Sequence, residues 1–366
     1  MCTSCQLPQV EESATDAFGE RLLGVINNGA LSLMISIGHR TGLFDAMAGQ
    51  PALGSPQIAE LAGLNERYVR EWLGAMVTGR IVTYDPDAST YHLPDAHAAC
   101  LTREAAPNNM AAFAQYVPLL GSVEDRVAEC FERGGGVPYS EFGRFQSVMA
   151  EDSGQTVLPA LLEEILPLAP GLVARLEEGI EVLDVGFGMG KALLLMAERF
   201  PRSRFTGYEI SREGVLSAQA AAAANGIENV RFVLQDAAGF DDHEAYDLIC
   251  TFDAVHDQAD PAALLRNIHR ALRPDGVYLM QDIDTHSDVG GNLDHPVGTL
   301  LYTISCMHCM TVSLAAGGAG LGAAWGVELA TTMLEEAGFQ DVTIERLPHD
   351  VQNAYFIVRK EDRDPV

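Results

Sequence analysis

Positive charge is scarce in this chain. Lys and Arg total 23 against 51 Asp and Glu, a formal charge of −28. So acidic a surface repels nucleic-acid phosphates and anionic membrane, which argues against both as partners. Long apolar runs are missing too: no uncut stretch approaches the ~18 residues of a spanning helix. The first residues, MCTSCQLPQVEES, lack a basic and apolar signal pattern, so a cytoplasmic protein is expected. The seven cysteines are odd in number and scattered, which points to reduced thiols rather than a disulfide framework. No internal repeat occurs, and the only biased tract is the Ala-rich 218–224. What is present is ordinary for a folded chain: 366 residues and a 48% hydrophobic fraction can bury a sizeable core in two domains.

The stretch Glu181–Glu209, EVLDVGFGMGKALLLMAERFPRSRFTGYE, organises the rest. An apolar run from Val182 to Val185 leads into Gly186, Gly188 and Gly190, then a Leu/Ala-rich helix, then a second strand ending at Glu209. This is a βαβ unit in which the missing Cβ atoms let backbone approach a ligand. A dinucleotide fingerprint needs a third small residue at position 191, where Lys191 stands. A phosphate-binding P-loop needs glycine at position 185 and a hydroxyl at 192, where Val185 and Ala192 stand.

The remaining pattern, D-V-G-x-G-x-G with a strand-ending acid 19 residues on, resembles the nucleoside site of class I S-adenosylmethionine-dependent methyltransferases. The resemblance implies a Rossmann-like, doubly wound α/β domain with a mostly parallel seven-stranded sheet, and S-adenosyl-L-methionine as cofactor. It implies that Asp184 and the three glycines pass under the methionine portion and that Glu209 accepts from the ribose hydroxyls. Asp236 would meet the adenine amino group, with Ala237 beside the ring. Phe252 and Asp253, where the strand YDLICTF ends, would complete the cofactor crevice at the carboxyl edge of the sheet. Phe187 stands where many members have Cys or Ser, and few have Met189.

After that strand comes Ala254-Val255-His256-Asp257. Here the likeness is to small-molecule O-methyltransferases, whose His takes the proton of an acceptor hydroxyl; His256 matches that base and Asp257 its neighbour. An imidazole near neutral pKa can do this while a sulfonium methyl is transferred. The competing reading is that apolar-His here only shapes the cofactor pocket. Gln258 replaces the tryptophan usual in plant-type enzymes. Strands are expected at 230–234, 246–252, 277–282, 342–346 and 355–358, with a turn at NIHRALRPDG.

Ahead of this domain, helices are expected from near Asp16 and from Gly29 to Met47. Ser55-Pro56 then caps a short helix, and a second runs from Asn65 with Tyr68, Val69, Trp72, Leu73 and Met76 on one face. A hairpin at 81–84 and 91–93 makes this a winged helix. From Ser55 to Glu104 it holds four Arg against seven acids, a poor match to the basic face that DNA reading requires. The layout resembles the N-terminal domains through which small-molecule O-methyltransferases pair as homodimers. The expected domains are therefore 1–105 (winged helix, dimerisation), 106–175 (helical linker and substrate cover) and 176–366 (catalytic).

Asp282, Asp284, His286 and His295 precede a segment holding Tyr302, Cys306, Met307, His308, Cys309 and Met310. Thiolates and imidazoles suggest zinc or copper, with Cys2-x-x-Cys5 as a second pair. Yet Cys306 and Cys309 also fit one turn of an apolar helix, so no metal is assigned. The resemblance makes this insertion a wall of the acceptor pocket, with Tyr302, Met307, His308 and Met310 facing substrate and the glycine-rich 317–322 a mobile loop. FDAVHDQADP and LYTISCMHCMTVSLAAGG resemble a bacterial group of such enzymes often labelled regulators. The expectation is methyl transfer to a small molecule; the alternatives are a metabolite-sensing DNA-binding regulator and a non-catalytic methyltransferase-like protein.

Overall fold

The computed structural model describes residues 12–360; the Cys2/Cys5 pair lies outside them. The chain divides into two compact units, one ending at Pro118 and the other beginning at Leu119, so the boundary falls inside the 106–175 stretch.

In the first unit, α1 (Glu12–Thr41) is one continuous helix of 30 residues rather than two. Its glycines do not interrupt it: a Cβ at Gly24 or Gly29 would meet nothing. After α2 (Leu43–Met47) come α3 (Ser55–Ala62) and α4 (Glu66–Thr78), the helix-turn-helix pair, then the wing strands β1 (Thr83–Asp85) and β2 (Thr90–His92). Gly54, not Ser55, caps α3; the Ser55 hydroxyl donates instead to Glu66 Oε1 at 2.6 Å, joining the two helices. Val69, Trp72, Leu73 and Met76 are buried as expected, but Tyr68 is 80% exposed because it falls outside that arc of the helix. The Trp72 indole N–H donates to the Met34 carbonyl at 2.8 Å and anchors α4 on α1.

Along α1, Phe18, Leu22, Leu23, Val25 and Ile26 are exposed. The expectation of no spanning-length apolar helix is corrected here. Residues 13–41 and 298–315 are long and apolar enough to cross a membrane by length and composition, because a mean over the helix tolerates the small and uncharged polar residues that cut an apolar run.

The second unit is built on a seven-stranded sheet in the order β5-β4-β3-β6-β7-β9-β8. Its strands are β3 (Glu181–Val185), β4 (Arg204–Glu209), β5 (Val230–Leu234), β6 (Tyr246–Phe252), β7 (Leu272–Ile283), β8 (Asp341–Glu345) and β9 (Asn353–Arg359). All pairs are parallel except those made by β9, which runs antiparallel between β7 and β8. The central strands are buried over most of their length, since helices cover both faces. One layer of core packs Leu161, Ile165, Leu193 and Met196 on one face of the sheet, and another packs Leu264, Leu265, Ile268 and Leu334 on the other. The expected turn at RPDG appears as an excursion in β7: Leu272 pairs with Tyr246 and Val277 with Leu248, leaving 273–276 outside the ladder.

Strand order reverses between β3 and β6, so the chain leaves their carboxyl ends in opposite directions and opens a crevice there. The helix from Gly298 to Ala315 carries a π-type turn at Ser305–Cys309. That extra residue per turn buries His308 and Cys309 side by side.

Candidate active site

The loop after β3 holds three left-handed glycines, Gly186 (φ 78°), Gly188 (φ 57°) and Gly190 (φ 75°), a conformation L side chains avoid. Their surroundings differ. A Cβ at Gly186 would lie 2.6 Å from Ala254 Cβ across the crevice floor, and one at Gly190 would lie 2.8 Å from Ala218 Cβ. Those two positions are closed by protein. Gly188 faces only the Gln146 amide oxygen, 3.3 Å away, so it alone presents bare backbone to the crevice.

Glu209, at the tip of β4, is buried and locks this loop. Its carboxylate accepts the Gly188 N–H at 2.9 Å and the Ser211 N–H at 2.7 Å. Burial pushes its pKa up, and those N–H groups pull the other way. Asp184, in β3 below the loop, is fully buried with Oδ1 unpartnered. Burial, reinforced by Glu209, raises its pKa to about 8. Asp236 is exposed at the end of β5, its side chain accepting from Ala238 N–H at 2.9 Å, while Ala237 is buried. Phe187 turns down onto β4, where a Cβ at Gly207 would sit 2.5 Å from its ring.

Facing the glycines, β6 ends at half-buried Phe252 and then Asp253, a non-glycine residue at φ 51°. Such strain persists only where neighbours enforce it; here the Asp253 N–H is tied to the Gln281 carbonyl at 3.0 Å. Its Oδ1 is buried and unpartnered. His256 is 4% exposed, with Nδ1 2.7 Å from Asp282 Oδ1. The same oxygen accepts from the Trp325 indole N–H at 3.0 Å and the Ile283 N–H at 2.8 Å. That oxygen acts as acceptor to both N–H groups, so Nδ1 carries the proton and donates to it as well. Burial alone would keep the imidazole neutral, but Asp282 outweighs it, with a smaller push from the hydrogen-bonded Cys309 thiol; the His256 pKa stands well above its usual value. Burial lifts Asp257 to about 6 against the pull of His256. The Asp253, His256 and Asp282 ligand atoms lie within 4.8 Å of one another.

The four expected acceptor-wall residues do not converge. Tyr302 and Met307, with Cys306, line a cleft of about 900 Å³ against Val127 and Phe131 of the helix Glu124–Arg133. His308 turns the other way: it is 1% exposed, stacked on Phe145 (centroids 3.6 Å apart, planes 4°), and edge-on to Tyr139 and Phe142. Neither His308 nitrogen has a partner, and burial then His256 lower its pKa to about 3. Met310 is half-buried and lies near Gly322. Cys306 and Cys309 also part, the first toward the cleft and the second toward His256. The glycine-rich 317–322, expected to be mobile, is pinned: Gly318 N–H bonds Ser313 O at 2.9 Å and Ala319 N–H bonds Ala259 O at 3.0 Å.

Sequence reasoning did not pair Asp282 with His256, although both lie at the ends of neighbouring strands, and that adjacency was the available signal. Tyr139, Phe145, Gln146 and Trp325 carried no motif and emerge only from packing.

The sheet order, the glycine loop at the switch point and the acid closing β4 define the fold of class I S-adenosylmethionine-dependent methyltransferases. The orphaned, buried Oδ1 of Asp184 and the Gly188 backbone, which meets only the flexible end of Gln146, suit a ligand with an ammonium and a sulfonium, so the residues fit that cofactor. Comparison with known proteins agrees. Residues 176–343 match the family described as a methyltransferase domain, and residues 29–103 match the Rv2258c-like winged HTH domain. The chain is thus a winged-helix domain joined to a methyltransferase domain. A putative O-methyltransferase from Nostoc punctiforme superposes with a TM-score of 0.71 at 20% identity, over 93% of this chain and 98% of that one. Human N-acetylserotonin methyltransferase in complex with SAM gives 0.69 at 18% identity, over 98% and 100%. Among curated proteins, a Shewanella tRNA (guanine-N(7)-)-methyltransferase is 40% identical over 70 residues, 19% of this chain and 29% of that protein. (S)-coclaurine N-methyltransferase from Papaver somniferum is 26% identical over 110 residues, 30% and 31%. The chain thus spans only about three-tenths of these curated relatives' length.

Proposed function

We propose that this protein transfers the methyl group of S-adenosyl-L-methionine to a small-molecule acceptor, with His256 taking the acceptor's proton. The observation that carries the reading is the buried Asp282–His256 pair set across the switch-point crevice from Glu209 and the open Gly188 backbone. When bound, the cofactor supplies an electrophilic methyl on a positively charged sulfur. Glu209 orients the ribose, Asp184 faces the ammonium end, and Asp236 with Ala237 borders the adenine. Asp282 fixes the His256 tautomer and steadies the imidazolium formed as the acceptor loses its proton. Among the solved neighbours, human N-acetylserotonin methyltransferase acts on a small molecule, as its name states.

The exposed apolar stripe of α1 supports a homodimer formed through the N-terminal unit. Duplex DNA is disfavoured as a partner: Arg67 and Arg70 on α4 are each paired along the helix, to Glu71 and Glu66. A cytoplasmic location is part of the same proposal. The test is calorimetry with S-adenosyl-L-methionine, followed by incubation with methyl-labelled cofactor and a metabolite extract. Absence of cofactor binding would defeat the reading.

A further inference from the structure

Acidic side chains outnumber basic ones in the crevice, and burial raises the pKa of Asp184, Asp253 and Asp257, so each gains by meeting a cation or donor. Asp184, Glu209, Asp253, Asp257 and Asp282 all border the crevice, and among the described residues the one ion pair any of them makes is His256 with Asp282. Asp184 and Glu209 stand at the cofactor end and are matched by a ligand that brings a sulfonium and an ammonium against one carboxylate. Three carboxyl groups and one imidazole remain on the acceptor side. Asp282 is fully buried with Oδ2 unpartnered, and Asp253 Oδ1 is likewise buried and unpartnered. Buried carboxylate oxygens without donors are costly unless a cation or donor meets them.

The wall above these acids is aromatic. The Tyr139 ring stands within electrostatic reach of Asp257 and Glu209, and His308, stacked on Phe145, within reach of His256. His308 is neutral with both nitrogens free, so it can accept a hydrogen bond and does not repel a cation. An aromatic ring within electrostatic reach of a carboxyl cluster suits an organic ammonium. A hydroxyl acceptor would gather negative charge as it loses its proton, directly beside these carboxylates, whereas an amine begins as a cation and ends as one.

Resting on the methyl-transfer reading, we infer that the acceptor is an arylalkyl amine, its ammonium held by Asp253, Asp257 and Asp282 and its ring set against Tyr139. The ammonium cedes one proton to His256 or its carboxylate neighbours. The freed nitrogen lone pair forms the N–CH3 bond while the donor's S–CH3 pair returns to sulfur, leaving S-adenosylhomocysteine and a methylammonium product.

The experiment pairs 2-phenylethylamine, tyramine and tryptamine with the alcohols 2-phenylethanol, tyrosol and tryptophol, on full-length protein in chelator. Binding is read by calorimetry in the presence of S-adenosylhomocysteine, and methyl incorporation by mass spectrometry that separates N- from O-methyl. The amines should bind about tenfold or more tightly than their alcohols, a difference of about 1.4 kcal/mol, and carry the label on nitrogen. In Asp257→Asn and Asp253→Asn, checked for folding by melting, that preference should shrink toward unity. Label on the alcohols or on the tyramine phenol overturns the inference and leaves methyl transfer standing. So does donor binding with neither amine nor alcohol bound. Failure of the donor itself to bind defeats the methyl-transfer reading instead.

Discussion

Asp184 keeps its proton to about pH 8, far above the usual carboxylate range, because it is buried and shares the crevice floor with Glu209. A pKa raised by folding stabilises the native state below the unfolded value near pH 4, and that stabilisation is lost as pH rises through the folded value. The ligand-free protein should therefore melt at a lower temperature at pH 8 than at pH 5, and Asp184→Asn should flatten that slope; a scanning-fluorimetry series at both pH values reads it. Glu209→Ala removes both the loop lock and the proposed ribose acceptor, and calorimetry should show cofactor affinity falling about tenfold or more. The Asp282–His256 pair gives a third expectation. With His256 as the proposed base, activity needs the neutral imidazole, so the rate should rise with pH along a limb displaced above the ordinary histidine value. In Asp282→Asn burial prevails and the limb moves to lower pH; an unmoved limb would mean that His256 is not the base.

At the scale of elements, the βαβ unit and strand sequence were legible because their apolar runs and glycines are local: β5 and β6 fall where the sequence places them. The glycine loop and Glu209 were legible for the same reason. The acceptor side was not. Its wall joins Tyr139 and Phe145 to His308, more than 160 residues apart, through a π-type turn that no periodicity of 3.6 forecasts. That turn sends His308 and Cys309 inward and Tyr302 and Met307 to the outer cleft, so the four residues grouped by sequence part company. One element contact is testable by itself. A Cβ at Gly136 would lie 1.9 Å from the Thr311 carbonyl, and Val137 N–H bonds Thr311 Oγ1 at 2.8 Å. Gly136→Ala must push the 134–138 loop off the helix, and chemical unfolding should show a loss of about 1–3 kcal/mol.

For the molecule as a whole, charge and apolar surface divide the labour. The net charge of −28 disperses the protein and draws cations inward, while in the proposed dimer the stripe on α1 is where copies would meet despite that repulsion. Sedimentation should show a dimer, and the double change Leu23→Glu and Ile26→Glu should yield monomers whose catalytic unit still binds cofactor. A monomeric parent would remove α1 as the pairing surface. The sheet holds a different consequence. The strand synthesised last in it, β9, does not take an edge but slides between β7 and β8, with Tyr355 and Val358 fully buried. A nascent chain on the ribosome can pair the first five strands yet must leave an open slot beside β7 until Asn353–Arg359 clears the exit tunnel. Sealing that seam is a late act of assembly, and a stop codon ahead of Asn353 should leave a chain with no cooperative melt.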